Sequence, residues 1–312
     1  MNPLEMYEDL MDQNLIRSFI EKQLEEYNSQ ANVVKMNLIF FKDAICHVVR
    51  IIRVISQPKG HMLVVGIAGS GRQSLCKLAA FMSELTIFQI KPSEKYKVSD
   101  FKEDLKLVFK SAGLKNKPSA LLLNDTQLKS ELFFEVINNL LSTGEVTNLF
   151  KNDELEEFKQ ELKKDVSFKS LQSNDETYKI MLDRAQVNLH VILCMSSVGE
   201  NFRKKVRQYP ALINCTTIDW FCDWPEEGFM EVCNKYFVNS QLSVQTSGSN
   251  ENVEIIKKPE VIEEKLRKNV AEVISFIHLS VCEKSKAMAR DAKRITYITP
   301  SAFLEMIIGF DK

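Results

Sequence analysis

A glycine-rich segment at residues 66–74, GIAGSGRQS, has the composition of a phosphate-binding loop. It lies between a short apolar run at 61–67 and a helical pattern at 73–85. In such a strand–loop–helix unit, glycines let successive backbone N–H groups point at phosphate oxygens. The N-terminus of the following helix also favours an anion. The candidate phosphate-binding residues are Gly66, Gly69, Ser70, Gly71, Arg72, Gln73 and Ser74.

The loop departs from the strict Walker A pattern at two positions. Arg72 stands where a lysine normally reaches the phosphates; it keeps the positive charge and can clamp two oxygens, but it is bulkier. Gln73 stands where a hydroxyl normally binds Mg²⁺, and its amide oxygen is a weaker ligand. Ser74 is one residue out of register. On these residues alone, a glycine turn that binds no ligand stays an open alternative.

A candidate Walker B strand, ALLLN at 120–124, ends at Asp125. An aspartate in this place holds magnesium through water, so Asp125 and, more weakly, Gln73 are the candidate magnesium ligands. Thr126 occupies the place of the glutamate that activates the attacking water, and a threonine hydroxyl is no general base near neutral pH. Hydrolysis is therefore expected to be slow or absent. Asp125 is also a candidate helix N-cap, and the two roles can coexist.

Strands that alternate with helices predict the fold. Short apolar runs indicate strands at 61–67, 86–90, 120–124, 189–195 and 216–220. Helical spacing indicates helices at 7–26, 41–55, 73–85, 101–112, 132–141, 151–165 and 202–208. This order predicts an α/β fold of the P-loop type, with a parallel sheet flanked by helices. The highly charged helix at 151–165 is expected to be exposed.

The chain changes character after Pro225. Only helices are predicted from there, so a small helical domain (225–312) should follow a large α/β domain (57–224) and N-terminal helices (1–56). Polar residues at 240–258 predict a mobile surface loop. One long helix is predicted at 261–293, with an apolar stripe of Ile262, Leu266, Val270, Val273, Ile277 and Val281.

The composition excludes several classes of protein. A net charge of −1 over 312 residues gives no basic surplus for nucleic acid. No apolar run reaches the roughly 18 residues that span a bilayer, and the N-terminus lacks a hydrophobic signal core. The seven cysteines show no paired metal spacing and are expected to be reduced thiols of a cytosolic protein.

Several longer segments resemble the fourth AAA+ module of an axonemal-type dynein heavy chain. They are DAICHVVRIIRVISQPKGHMLVVG, IAGSGRQSLCKLAAF, NNLLSTGEVTNLF, NLHVILCMSSVGENFR, YPALINCTTIDWFCDWPEE and YITPSAFLEMI. The resemblance covers nearly the whole chain. It implies an AAA+ P-loop NTPase module, one of six in a ring on a single heavy chain, and a regulatory role for this fourth module.

The resemblance also assigns residue roles. Ser196 falls on sensor 1, and Thr126 falls on the second Walker B position. Arg203 and Arg207 lie in the helix that carries the arginine finger, which acts on the nucleotide of the neighbouring module. Residues 37–41 would line the adenine pocket by the same analogy.

The implied ligands are ATP or ADP with Mg²⁺. The implied partners are neighbouring AAA+ modules and, through the full-length motor, dynein intermediate and light chains and microtubules. No nucleic acid or membrane is expected. The implied location is the cytoplasm and cytoskeleton, in the axoneme of a cilium or flagellum.

The alternative to a regulatory nucleotide-binding module is a nucleotide-free structural module that completes the ring. An active ATPase would need another carboxylate as base, such as Glu131 or Glu135.

Overall fold

A computed structural model describes residues 12–31, 33–128, 130–163, 173–198, 200–237, 259–293 and 296–310. The strands are β1 Met62–Gly66, β2 Thr86–Gln89, β3 Ser119–Asn124, β4 Leu189–Ser196 and β5 Thr217–Phe221. The helices are α1 Gln13–Ser29, α2 Lys42–Ile55, α3 Arg72–Met82, α4 Val98–Phe109, α5 Glu131–Thr143, α6 Asn152–Leu162, α7 Asn174–Asn188, α8 Glu200–Gln208, α9 Ala211–Asn214, α10 Glu226–Phe237, α11 Pro259–Asp291 and α12 Pro300–Phe310.

The five strands form one parallel sheet in the order β2-β3-β4-β1-β5. Every residue of β1 is buried, and β4 is buried from Leu189 to Met195. Continuous apolar strands of this kind belong to a parallel sheet with both faces covered. The predicted α/β fold is therefore confirmed. Because the strands are parallel, the carboxyl ends of β1, β3 and β4 lie at the same edge of the sheet. The predicted loop directly follows β1 at this edge, and Asp125 directly follows β3.

The described residues fall into two compact units. The first contains residues 45–67 and 71–221 together with the N-terminal segment up to 36. The second contains residues 37–44, 68–70 and those from 222 onward. In the second unit, α10, α11 and α12 enclose a core of Phe229, Val232, Cys233, Phe237, Ala271, Ile274, Phe303 and Ile307. The predicted loop at 240–258 lies outside the described residues.

Helix α6 is not the exposed helix that its charge predicts. Leu155, Phe158 and Leu162 are buried, and they pack with Met181 of α7. Helix α7 itself was not predicted from the sequence. Its first turn is closed by a capping box in which the Ser173 hydroxyl accepts the Glu176 N–H at 3.0 Å.

The predicted apolar stripe of α11 is correct at Val270, which packs against the core of the second unit, and wrong at Val273, Ile277 and Val281. Ile262 lies outside the residues whose side chains are described. Val273 and Ile277 are 56% and 44% exposed, whereas Ala271 and Ile274 are buried. The buried face follows Ala271, Ile274 and His278, at helical spacings of three and four. A small residue at position 271 suits close helix packing, and α11 packs against α10 in this unit.

Candidate functional site

The predicted phosphate loop joins β1 to α3. Gly69 and Gly71 have φ values of +77° and +84°, which L side chains rarely adopt. Gly71 is also the N-cap of α3, and no side chain caps this helix end. The N–H groups of its first turn therefore have no capping side chain as acceptor, which leaves them open to water or to an anion.

Close packing accounts for two of the glycines. A Cβ on Gly66 would lie 2.7 Å from Cβ of Phe221, its neighbour on β5. Within the second unit, a Cβ on Gly69 would lie 2.0 Å from Oγ of Ser301, at the start of α12. The tip of the loop, residues 68–70, belongs to that second unit, so α12 lies against the loop tip.

Arg72 lies beneath the loop rather than in solvent. It is 9% exposed, and its guanidinium donates a hydrogen bond to the Met195 carbonyl on β4. The arginine thus holds a positive charge at the carboxyl edge of the sheet.

Gln73 contacts a neighbouring side chain, because its Oε1 accepts a hydrogen bond from Nε2 of Gln89 at 3.4 Å. That contact weakens the expectation of a magnesium ligand at position 73.

Asp125 and Ser196 meet at the ends of adjacent strands. The Ser196 N–H donates to Oδ2 of Asp125 at 2.8 Å, and the Asp125 N–H donates to the Cys194 carbonyl at 3.1 Å. Gly66 pairs with Ser196 in the strand register. Within the first unit, the carboxyl ends of the strands therefore bring together Gly66, Arg72, Asp125 and the residue assigned to sensor 1.

The alternative role of Asp125 as a helix N-cap is not found. Helix α5 begins at Glu131, and the Ser130 hydroxyl accepts the Leu132 N–H at 3.3 Å. Asp125 lies instead in the turn directly after β3, which leaves its carboxylate at the edge of the sheet.

No glutamate follows Asp125 in this turn. Thr126 is exposed there. Glu131, considered as a substitute base, lies in the first turn of α5, where its Oε1 is 3.6 Å from Nζ of Lys204. This geometry retains a magnesium-type carboxylate and lacks the usual water-activating one.

Lys205 on α8 was not singled out in the sequence. Its Nζ lies 4.1 Å from the centre of the Phe134 ring, a cation–π contact. Burial lowers the pKa of Lys205, and the charges of Asp125 and Glu131 oppose that shift. The only sequence signal was its position in a basic helix.

Arg203 and Arg207, the predicted finger residues, are exposed and lie one turn apart on α8.

A buried carboxylate lies on β5, the strand that pairs with β1. Asp219 is fully buried next to β1, and Nδ1 of His47 lies 2.8 Å from its Oδ2. Arg50 donates to Oδ1 of the same carboxylate. The His47 ring also stacks on the Phe221 ring, with 3.8 Å between the ring centres. This contact packs α2 against β5, the strand that lies beside Gly66.

Two kinds of feature are absent from the part of the chain that the structure describes. No group of three or more His, Cys, Asp or Glu residues there has the arrangement of a metal site. No helix in the searched ranges has the length and apolarity that a bilayer crossing requires.

Comparisons with known proteins agree with one another. The model of the family described as "P-loop containing dynein motor region D4" matches residues 36–312. The chain is 40% identical over 308 residues to dynein axonemal heavy chain 2 of Mus musculus. It is 39% identical over 306 residues to the dynein-1-beta heavy chain, flagellar inner arm I1 complex, of Chlamydomonas reinhardtii. It is 37% identical over 293 residues to the ciliary dynein beta chain of Tripneustes gratilla.

These three matches cover 98%, 98% and 94% of this chain. They cover only 6% of each relative, so the chain spans a small part of their length.

Proposed function

The chain belongs to the family of P-loop-containing dynein motor regions D4, and we propose that it is a regulatory module that binds ATP or ADP with Mg²⁺ and hydrolyses it slowly or not at all. The AAA+ P-loop family implies nucleotide binding. The regulatory role, the identity of the nucleotide and the low turnover are the proposal.

The observation that carries the proposal is the difference between Asp125 and Thr126. Asp125 is held at the sheet edge by the Ser196 N–H, 2.8 Å from Oδ2, which leaves Oδ1 for a magnesium-bound water. The next side chain is an exposed threonine, which does not take a proton from water near neutral pH. Such a site retains nucleotide while the hydrolysis step is impaired.

The other residues have distinct parts in this proposal. The loop amides and the uncapped start of α3 bind the phosphates. Arg72 supplies a buried positive charge at the same edge. Ser196 orients Asp125 through its backbone N–H; its hydroxyl oxygen accepts the Val198 N–H at 3.3 Å, and its O–H can donate to a water or the terminal phosphate. Arg203 and Arg207 act on the nucleotide of a neighbouring module, for which they must be exposed, as they are.

A nucleotide-free structural module is the second candidate, and specific contacts favour it. The Arg72 guanidinium bonds to Met195, and the Gln73 amide bonds to Gln89. Each side chain therefore has one partner within the protein that requires neither a phosphate nor a metal ion. Under this alternative, the loop tip is a turn whose Gly69 packs against Ser301, both within the second unit.

A binding experiment separates the two candidates. The purified chain is titrated with fluorescent ATP and ADP in the presence of Mg²⁺, and phosphate release is followed in the same samples. Tight binding with little release supports the regulatory module. The absence of binding at millimolar nucleotide supports the structural module.

The variant Arg72→Ala tests the phosphate loop itself. Hydrogen bonds to charged groups contribute about 1.5–3 kcal/mol, so we expect nucleotide affinity to fall roughly 10- to 100-fold. Arg290→Ala removes an exposed arginine from α11 and is the matched control, with unchanged affinity expected. Equal affinities for both variants would show that Arg72 does not bind phosphate.

The relatives supply the proposed setting. Their names place them in axonemal, flagellar and ciliary dyneins. We place this module in the same setting, within a longer heavy chain of an axoneme in a cilium or flagellum, part of the cytoskeleton. Its direct partners are then neighbouring AAA+ modules. Contact with microtubules and with dynein intermediate and light chains occurs through the whole motor.

A further inference from the structure

A cavity of about 250 Å³ lies at the amino edge of the sheet, within the first unit. Its lining includes His61, which directly precedes β1, and Leu189, the first residue of β4. The loop follows the opposite end of β1, and a five-residue strand is about 16 Å long. The cavity is therefore separate from the candidate nucleotide site.

The walls of the cavity are mainly apolar. They are formed by Leu140, Leu141, Ala185 and Leu189, all of which are buried. The polar side chains at the rim bond within the protein: Thr143 Oγ1 donates to the Asn139 carbonyl at 2.8 Å. A second rim side chain, Gln186, donates from Nε2 to the Thr143 carbonyl at 3.2 Å.

His61 provides one defined hydrogen-bond donor. Its Nδ1 accepts the Val191 N–H at 3.1 Å, so the neutral ring carries its proton on Nε2. Burial, followed by the charge of His190, lowers the pKa of His61 to about 4, so the ring is neutral at pH 7. Nε2 has no hydrogen-bond partner within the described ranges of the chain.

The charges around the cavity favour an uncharged ligand. Among the described lining residues, Lys59 alone is charged, and it is exposed, so it attracts an anion only weakly. The carboxyl-terminal turns of α5 and α7 also line the cavity at Thr143 and Gln186. Helix carboxyl ends carry partial negative charge, which opposes an anionic ligand.

We propose that this cavity is a binding site for an uncharged, mainly apolar small molecule with one hydrogen-bond acceptor, which receives the proton of His61 Nε2–H. A cavity of about 150 Å³ holds benzene, so 250 Å³ has room for about ten non-hydrogen atoms. The site is smaller than the roughly 300–1,000 Å³ of drug-sized pockets. The proposal does not depend on nucleotide binding at the loop.

Three probes of similar size test the proposed chemistry. Acetophenone is uncharged and has one acceptor, ethylbenzene lacks the acceptor, and benzoate is an anion. Their affinities for the intact chain are measured by ligand-observed NMR at roughly millimolar concentration. One hydrogen bond predicts that acetophenone binds about 3- to 10-fold more tightly than ethylbenzene. Benzoate is expected to bind less tightly than acetophenone.

Two variants assign the binding to the cavity. His61→Phe removes the donor, so acetophenone should lose its advantage over ethylbenzene. Ser142→Trp adds bulk at an exposed lining position and should weaken both ligands, whereas Ser99→Trp on α4 should not. In the unaltered chain, nuclear Overhauser contacts from the acetophenone methyl to the Leu140 methyls should be seen, whatever the folding of the variants.

Three results would overturn the proposal. The first is that neither neutral probe binds. The second is that benzoate binds more tightly than acetophenone. The third is that acetophenone keeps its advantage in a folded His61→Phe chain or shows no contact with Leu140.

Discussion

Replacing Thr126 with glutamate would return a carboxylate to the place where a water-activating base is missing. The side chain is exposed in the turn after β3, directly beside Asp125. Surface substitutions of this kind change stability by about 0.5 kcal/mol or less, so the variant should fold. Lys205 interacts with the Asp125 charge and should offset part of the repulsion between the two carboxylates.

The expected gain in turnover follows from the groups that are present. A positioned general base contributes about 10²- to 10⁴-fold. An arginine finger supplied in trans adds about 10³- to 10⁵-fold and is absent in a single module. Arg72 also departs from the usual lysine. We therefore expect Thr126→Glu to raise phosphate release by about 10²-fold, the lower limit for a general base.

The assay measures single-turnover phosphate release with saturating ATP and Mg²⁺. Thr126→Gln is the matched control, because it has the length of glutamate without the charge and should stay at the rate of the unaltered chain. If Thr126→Glu binds ATP normally and releases phosphate no faster than Thr126→Gln, the missing carboxylate does not limit hydrolysis.

Three further predictions concern stability, measured by urea unfolding. Gly66→Ala should lower the free energy of unfolding by about 1–3 kcal/mol, because the added Cβ would lie 2.7 Å from a β5 side chain. Gly309→Ala, with nothing within 4 Å, should not destabilise the chain. Asp219→Asn should lower the free energy of unfolding by about 3 kcal/mol, because Asp219 is buried and pairs with Arg50. Asp223→Asn, in an exposed pair with Lys286, should lower it by less than about 1 kcal/mol. Burial lowers the pKa of His61 from 6.5 in the unfolded chain to about 4 in the folded chain. Between these pH values the unfolded chain binds one more proton, so the free energy of unfolding should fall as the pH drops from 6.5 to 4. His61→Phe should remove that part of the pH dependence.

The part of the site that follows β1 and β3 was predictable from the sequence. The glycine loop and Asp125 are recognisable because each directly follows a short apolar strand, and Arg72 is recognisable because it ends that loop. Parallel strands then bring their carboxyl ends to one edge. The hydrogen bond from the Ser196 N–H to Asp125 is a consequence of that same edge, since β3 and β4 are neighbours.

Other residues of the site gave no usable signal. Asp219 lies within a strand, and its partners His47 and Arg50 are about 170 positions away in the chain. Lys205 was one of several basic residues on a short helix. Only the packing of α8 near Asp125 and Phe134 distinguishes it from its neighbours.

Local patterns failed where more than one partner competes for an apolar face. Helix α6 was predicted to be exposed because its charges dominate, yet Leu155 and Phe158 pack against α7. On α11, β-branched residues such as Val273 and Ile277 suggested the buried stripe. The buried face instead contains Ala271 and Ile274, because packing selects shape as well as hydrophobicity.

The sequence by itself determined the alternation of strands and helices, the loop and the absence of a carboxylate at Thr126, because those depend on neighbouring residues. Tertiary structure alone decided that the Arg72 guanidinium bonds to the Met195 carbonyl, 123 positions along the chain. It also decided that His61 lines a cavity together with residues of α5, α7 and β4. Both depend on groups distant in the sequence that only the folded chain brings close together.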